Sequence, residues 1–162
     1  MQWHVASRAD PRGAALADRH YSRKTVGHPQ FTPPGRCIVL LTSPADALWV
    51  SSWPYTQYVL HAWAGAWLCS LFRNESASLS SELILQAVAA TRSIWKQTPD
   101  LGMVTFVDTA KVRRKRDWGR CFRRAGFEHV GYTKGGLVVL QLLPKDMPDP
   151  YPAIGTQLTL FA

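Results

Sequence analysis

The sequence predicts a single α/β (α+β) domain with a mixed, largely antiparallel central sheet flanked by helices. Its 162 residues are the length of one ordinary domain. A hydrophobic content of 46% supplies a full core and excludes a wholly disordered chain. Residue patterns follow one another in the order helix, three strands, long helix, strand, short helix and two strands, and this order predicts the fold class.

The amino-terminal part of the chain predicts one helix and three strands. Asp10 is a suitable N-cap and Pro11 a suitable first helical residue, so a short helix is expected to reach about His20. Three prolines in residues 27–35 indicate a loop. Runs rich in strand-forming residues then predict consecutive antiparallel strands at 37–41, 47–51 and 62–72.

The carboxyl-terminal part predicts the longest helix and the remaining strands. Apolar residues recur at helical spacing between Ser80 and Gln97, from Leu83 to Trp95. A buried strand at 103–107, a short basic helix at 117–125 and a hairpin of 128–133 with 137–143 are expected to follow.

The composition changes after Leu143, where four prolines occur between Pro144 and Pro152. This composition predicts an extended tail outside the core. We therefore expect a domain at residues 1–143 and a proline-rich tail at 144–162.

The net charge of +8 is concentrated in residues 111–124, where eight basic residues accompany one acidic residue. A polyanion gains counterion-release entropy at such a patch, so DNA is the first expected partner and an anionic cofactor the second. The alternative is a solvated helix face. The expected DNA-binding residues are Lys111, Arg113, Arg114, Lys115, Arg116, Arg120, Arg123 and Arg124.

The sequence also indicates the compartment. The longest apolar stretch near the end, residues 137–143, is too short to cross a bilayer. The first residues lack the apolar block of a signal peptide, so we expect a cytoplasmic protein without a membrane partner. Three cysteines without a CxxC pair suit a reducing compartment and exclude a cysteine-only zinc site.

Polar residues at the expected ends of elements are the candidate site. His20 and Tyr21 end the first helix, where the alternative is a simple helix cap. Asp108 follows a buried strand, where residues face the ligand crevice of open sheets, although an Asx turn would also explain it.

A second group lies between the long strand and the long helix. Arg73 leaves that strand, followed by Asn74, and a guanidinium there can hold phosphate or carboxylate. Ser80 and Ser81 offer hydroxyls and backbone N–H groups at the helix start, and we also expect one of them to cap it.

The seven tryptophans are many for this length. Trp63, Gly65 and Trp67 alternate along an expected strand, which would place both rings on one face. Most tryptophans are expected in the core, and an exposed subset would stack an unpaired base.

Several short motifs resemble the Mom family of phage DNA-modification proteins over about residues 17–143. They are an amino-terminal His-Tyr-Ser, Phe-Arg-Asn at the end of the long strand, a serine-rich helix start, Val-Asp after the next strand, and Gly-Arg-Cys-Phe-Arg-Arg-Ala-Gly-Phe. The resemblance implies a fold similar to the GNAT acyltransferases. It also implies a carbamoylmethyl (acetamido-like) addition to the exocyclic amine of adenine in DNA, which protects phage DNA from host restriction in the bacterial cytoplasm.

The resemblance also implies the site residues and cofactors. It places catalysis at His20, Tyr21, Arg73, Asp108 and Ser81, cofactor binding at Arg73, Asn74, Ser80 and Ser81, and iron at His20, Tyr21 and Asp108. Acyltransferases of this fold usually cradle coenzyme A with a glycine-rich loop at the helix start. The segment from Arg73 to Glu82 has no glycine, so ordinary acetyl-coenzyme A is not the expected donor.

The last residues resemble the pentapeptide by which bacterial replication and repair proteins bind the DNA polymerase sliding clamp. The residues that match it are Gln157, Leu158, Leu160 and Phe161. The alternative is a final edge strand.

Two other functions fit the same sequence. One is an acyltransferase acting on a small molecule or a protein, which would turn over acyl-coenzyme A without DNA. The other is a non-enzymatic accessory protein that binds DNA and the clamp, for which His20 and Asp108 would be replaceable.

Overall fold

The computed structural model describes residues 1–112 and 117–157. Seven strands form one sheet in the order β1-β2-β3-β4-β5-β7-β6, and every neighbouring pair is antiparallel except β4 with β5. The strands are β1 (Trp3–Ala6), β2 (Arg36–Thr42), β3 (Ala47–Trp53), β4 (Trp67–Asn74), β5 (Met103–Val107), β6 (Glu128–Tyr132) and β7 (Val138–Leu142). The helices are α1 (Pro11–Asp18), α2 (Ser80–Ile94) and α3 (Arg120–Arg124), with 3-10 turns at Thr56–Tyr58 and Pro144–Asp146. The expected fold class is confirmed.

Two features of the sheet differ from the expectations. Strand β1 was not predicted, because four residues with one fully buried side chain, Trp3, give too short a pattern. Strand β4 begins at Trp67 rather than at residue 62, because Gly65 has a φ of +99° and turns the chain before the strand. The prediction that Trp63 and Trp67 share a strand is therefore wrong.

The helices cover opposite faces of the sheet. Asp10 caps α1 through its side chain, as expected, and Leu16 and Ala17 of this helix pack on Leu48 and Val50. The apolar side of α2 packs on the other face, against the cluster that contains Trp49 and Trp67. Residues that leave α1 and residues that begin α2 thus approach the sheet from opposite sides.

The proline-rich segment contributes to the core as far as the structure describes it. Met147 and Ala153 are buried in the main cluster. Ile154 exchanges backbone hydrogen bonds of 2.9 Å with β1, and the N–H of Tyr151 donates to the carbonyl of Ala89 in α2. The expectation that this segment stays outside the core is wrong up to this point, because prolines prevent sheet pairing but not apolar contact.

The single parallel pair opens a cleft in the sheet. Strands β4 and β5 pair from Trp67 to Cys69, and the pairing ends at Cys69 with Thr105. Beyond that point each strand is held by its outer neighbour, β3 or β7. The inner edges therefore diverge at the carboxyl ends, which is where open α/β sheets bind ligands. No described helix is long and apolar enough to cross a membrane.

Candidate functional site

A cavity of about 820 Å³ occupies the cleft between β4 and β5. Its walls come from the diverging strands, the segment after α1, the start of α2 and helix α3. The predicted residues His20, Tyr21, Arg73, Asn74, Ser80 and Ser81 all line it. Residues far apart in sequence thus meet at one place.

His20 is held as a neutral imidazole at the α1 side of the cavity. Burial, followed by the positive charge of Arg73, lowers its pKa to about 4. The backbone N–H of Ser22 points at Nδ1 from 3.2 Å, and the Ser22 hydroxyl lies 2.7 Å from the same atom. We therefore assign Nδ1 as the acceptor and Nε2 as the atom that carries the proton. His20 is a hydrogen-bond donor toward a ligand in this form.

Tyr21 connects His20 with Asp108. The rings of His20 and Tyr21 stack with centroids 4.5 Å apart. The backbone N–H of Asp108 donates to the Tyr21 hydroxyl oxygen, whereas burial is the largest cause that raises the pKa of this phenol. Asp108 therefore adjoins the cavity, although its carboxylate also accepts from the N–H of Ala110 at 3.1 Å. The Asx turn is present, whereas Asp108 is not among the residues that line the cavity.

Arg73 reaches the cavity from the end of β4, and an ion-pair network holds its side chain. Its Nε donates to Glu75 Oε2 at 2.9 Å, while Arg19 donates to both oxygens of Glu75 at 2.7 and 2.9 Å. Arg19 first, and then Arg73, lowers the pKa of Glu75 to about 2. Among the described residues, no acceptor bonds the two Nη atoms of Arg73, so they are available to an anion.

Sequence analysis missed this role of Glu75 and Arg19. The two residues are 56 positions apart, and the sequence gives no signal that they pair. The one local signal is the spacing of two between Arg73 and Glu75.

Asn74 has a structural role that the cofactor prediction did not anticipate. Its amide nitrogen donates to the carbonyl of Ser78 and to Ser80 Oγ, and its Oδ1 accepts from the N–H and the hydroxyl of Ser76. The loop between β4 and α2 is thus closed by its own side chains. Asn74 and Ser80 therefore shape this loop, and both also line the cavity.

The start of α2 is not capped as expected. Leu79 is the N-cap residue and makes no side-chain cap hydrogen bond, so neither Ser80 nor Ser81 caps the helix. Ser81 lies in the first turn, where it is 9% exposed and lines the cavity. Its hydroxyl has no hydrogen bond to any described residue. This hydroxyl and the positive end of α2 therefore favour an anion inside the cavity.

The cavity is electropositive along α3. Arg120 and Arg124 line it, and Asp117 is the one acidic residue among the described lining residues. Asp117 is already paired with Arg120 at 3.7 Å and with Arg123. Lys111 is exposed nearby in sequence. The predicted DNA-binding residues Arg113, Arg114, Lys115 and Arg116 lie outside the described residues.

The donor chemistry at the expected iron site does not fit a metal as it stands. Burial keeps Tyr21 a neutral phenol, His20 uses Nδ1 for Ser22, and Asp108 holds its own turn. Within residues 1–112 and 117–157, no three histidine, cysteine, aspartate or glutamate side chains group to hold a metal ion. Iron stays an implication of the resemblance, and we derive no step through it.

The cysteines and tryptophans do not supply the chemistry of the cavity. Burial raises the pKa of Cys69, which keeps this lining thiol protonated. No tryptophan is among the described lining residues; the rings there are His20, Tyr21, Phe72, Phe106 and Phe122. The expectation of tryptophan stacking is therefore not supported at this cavity.

The expected clamp peptide is largely outside the described residues. Gln157 is exposed, directly after the segment that packs on β1. Leu158, Leu160 and Phe161 lie beyond the described part of the chain.

The fold and the cavity define a mixed α/β domain with an electropositive cleft at the end of its parallel strand pair. The chain matches no protein-family model, no curated protein and no solved structure. The resemblance described above therefore rests on the quoted motifs alone.

Proposed function

We propose that the protein is a GNAT-like transferase that modifies adenine in DNA by adding a carbamoylmethyl group to its exocyclic amine. The observation that carries the proposal is the cleft between β4 and β5. It gathers His20, Tyr21, Arg73 and Ser81 from three parts of the chain and lies beside Asp108. The motifs that resemble the Mom family thus meet at a single cavity. In this role the protein protects phage DNA from host restriction.

The cavity has room and chemistry for an extruded base. A base inside a duplex must leave the stack before its amine can react, and the pockets that receive such bases are lined by apolar and polar groups together. The cavity of about 820 Å³ combines phenylalanine rings with the donor group of His20 and the guanidinium of Arg73. Its size is in the range of ordinary ligand sites.

The residues have distinct roles in the proposed transfer. His20 donates from Nε2 to an acceptor atom of the base, since its Nδ1 is occupied by Ser22. The carboxylate of Asp108 accepts the proton that the amine loses when its nitrogen bonds to the carbon of an electrophilic carbamoylmethyl donor. The leaving group departs from that carbon with the bonding electron pair. Arg73 and Ser81 bind the anionic part of the donor.

The loop before α2 supports a donor other than acetyl-coenzyme A. A diphosphate is usually cradled by free backbone N–H groups in a glycine-rich loop. Here the loop has no glycine, and Asn74 and Ser76 occupy its interior hydrogen-bonding groups. This feature argues against the alternative of an ordinary acyl-coenzyme A transferase.

Mass spectrometry of nucleosides from cells that express the protein tests the proposal. We expect a heavier deoxyadenosine product, which the variants His20→Ala, Arg73→Ala, Ser81→Ala and Asp108→Ala should lose while still folding. Glu128→Gln is a matched control, because Glu128 is exposed on β6 and outside the cavity. Unchanged nucleosides would overturn the proposal. Acyl-coenzyme A turnover without DNA would establish the alternative enzyme, and DNA binding unaffected by these variants without any product would establish the accessory protein.

Salt-dependent binding tests the DNA partner. Lys111→Glu with Arg124→Glu should weaken binding and lower the salt slope by about 0.9 for each phosphate that the variant no longer neutralises. Lys145→Glu should change neither, because Lys145 is exposed at the opposite end of β7 from the cavity. An unchanged slope would show that the basic residues are a solvated face.

A further inference from the structure

Two aromatic rings from separate parts of the chain line the cavity. Tyr21 follows α1, whereas Phe106 belongs to β5. The Tyr21 hydroxyl bonds to the N–H of Asp108, two residues beyond Phe106, so both side chains reach the same mouth. Both rings line the cavity.

A histidine packs against each of these rings. His20 stacks on Tyr21 with an interplanar angle of 29°. His61 packs edge-on against Phe106, with centroids 5.1 Å apart and an angle of 71°. Burial lowers the pKa of both histidines, so neither presents a fixed positive charge at neutral pH. Within the described chain, no ring contact joins Tyr21 to Phe106, although both line the same cavity.

We infer that Tyr21 and Phe106 are the binding residues that receive the planar ring of the extruded base between them. The inference rests on the proposed function and names the position of the base within it. Because each ring already packs against a histidine, the two apolar rings need little reorganisation when a base binds. Stacking on these rings does not depend on which base is bound. His20 and Asp108 lie at the same mouth and offer a hydrogen-bond donor and an acceptor, which can distinguish the edge of adenine from that of other bases.

This arrangement also separates the two ligands of the proposed reaction. Ser81, Arg120 and Arg124 lie on the other face, where α2 and α3 cover the sheet. The anionic donor therefore enters from the helix side and extends to Arg73 beside His20, and the base enters from the α1 side. The two meet where the pairing of β4 and β5 ends.

Binding of a DNA duplex that contains 2-aminopurine opposite an abasic site tests the inference. This analogue stacks as adenine does, and its fluorescence is quenched when it stacks on an aromatic ring. The full chain should quench it, and Tyr21→Leu or Phe106→Leu should lose the quenching and bind this duplex about 5- to 100-fold more weakly. Tyr21→Phe and Phe106→Tyr, which keep the rings, should retain both properties.

Two comparisons keep the outcomes distinct. Tyr58→Leu is the matched control, since Tyr58 is 75% exposed and lies outside the cavity. Fully paired DNA should bind all variants equally, because its contacts are to phosphates. Loss of quenching in none of the ring variants, with DNA binding intact, would overturn the inference and leave the proposed function standing. Failure of the intact protein to bind either duplex would overturn both.

The source of the base is tested with free AMP. If AMP bound between the rings more tightly than the duplex did, with the same dependence on Tyr21 and Phe106, the site would belong to a free nucleotide and the inference would fail. We expect AMP to compete weakly, because the phosphates on both sides of the extruded base contribute affinity that AMP lacks.

Discussion

At the residue scale, the environment of His20 decides what this histidine can do. The sequence His-Tyr-Ser shows three reactive side chains but not their states. In the folded protein, burial and the neighbouring Arg73 hold His20 neutral, and Ser22 fixes its tautomer. A residue that the resemblance implied as a catalytic and iron-binding residue thus has the form of a hydrogen-bond donor.

The neutral state of His20 predicts a pH dependence of stability. Its pKa is about 4 in the folded protein and 6.5 when solvated, so the unfolded chain binds a proton that the folded protein does not between these values. The free energy of unfolding should be fully present above about pH 6.5 and fall by about 1–3 kcal/mol as the pH drops to about 4. Urea unfolding at several pH values measures this change.

The variant His20→Gln isolates this effect. Its free energy of unfolding should depend less on pH in the window from about 6.5 to about 4. His61→Gln is the comparison, since burial lowers the pKa of His61 as well and gives the same sign. An identical pH dependence in the intact protein and in His20→Gln would contradict the assigned state. Glu75 does not interfere, because its pKa is lowered to about 2 and its contribution is lost only below about pH 4.5.

At the scale of elements, the start of α2 lacks a side-chain cap, which lowers helix stability but leaves backbone N–H groups for a ligand. A leucine at the N-cap leaves the first N–H groups of a 15-residue helix without a side-chain acceptor. Most helices place serine, threonine, aspartate or asparagine there. Leu79 lines the cavity, so an acceptor at this position would compete with any anion bound at the helix start.

The variant Leu79→Asp tests this compromise. The carboxylate should cap α2 and raise the free energy of unfolding by about 1 kcal/mol, because the backbone of Leu79 already has the extended geometry of an N-cap. The same charge should abolish the adenine product by repelling the anionic donor. Leu79→Asn caps without charge and should retain more product. A stabilised and fully active Leu79→Asp protein would remove the helix start from the donor site.

Gly102 is predicted to control the position of β5. It has a φ of +66°, and a Cβ atom there would collide with the carbonyl oxygen of Leu142. Its own carbonyl accepts from the N–H of Trp67 at the start of β4. Gly102→Ala should therefore cost about 3 kcal/mol or more, measured by thermal unfolding. Gly35→Ala is the control: Gly35 has a φ of +95° but open space around it, so the cost there should be near 1–2 kcal/mol.

The sequence predicted the helices and strands better than the side-chain contacts between them. Strand β5 has the predicted bounds, and α2 starts at the predicted residue, because strong apolar periodicity marks both. The candidate residues were found because they follow strands and helices whose ends converge. The network of Arg19 with Glu75 and the presence of Tyr21 and Phe106 at one cavity could not be predicted, since they depend on the angle at which β4 and β5 diverge. Local sequence patterns do not determine the angle between these two strands.

At the scale of the whole molecule, the segment after β7 joins α2 to the edge strand β1. It runs from the end of β7 across α2, where Arg92 donates to the carbonyl of Pro148 at 2.6 Å, and reaches the edge of β1. Sheet edges that are covered in this way are protected from pairing with other chains. The segment is thus structural up to Thr156.

The final prediction concerns Gln157–Ala162, whose sequence resembles a sliding-clamp peptide. Because the preceding residues pack on β1 and α2, no free linker separates this peptide from the domain. Clamp binding would therefore hold the enzyme close to newly replicated DNA, and its benefit would come from proximity rather than from a long tether.

Deleting Gln157–Ala162 should leave the thermal unfolding midpoint and activity on purified DNA unchanged, abolish heat of binding to a bacterial clamp in calorimetry, and reduce adenine modification in replicating cells. Replacing Gln157 alone by Ala should weaken clamp binding without unfolding, which separates recognition from any effect of truncation. If the intact protein gives no heat with clamp at roughly 50 µM, or if the deletion unfolds the domain, then these residues complete the β1 edge and recruitment by the clamp is excluded.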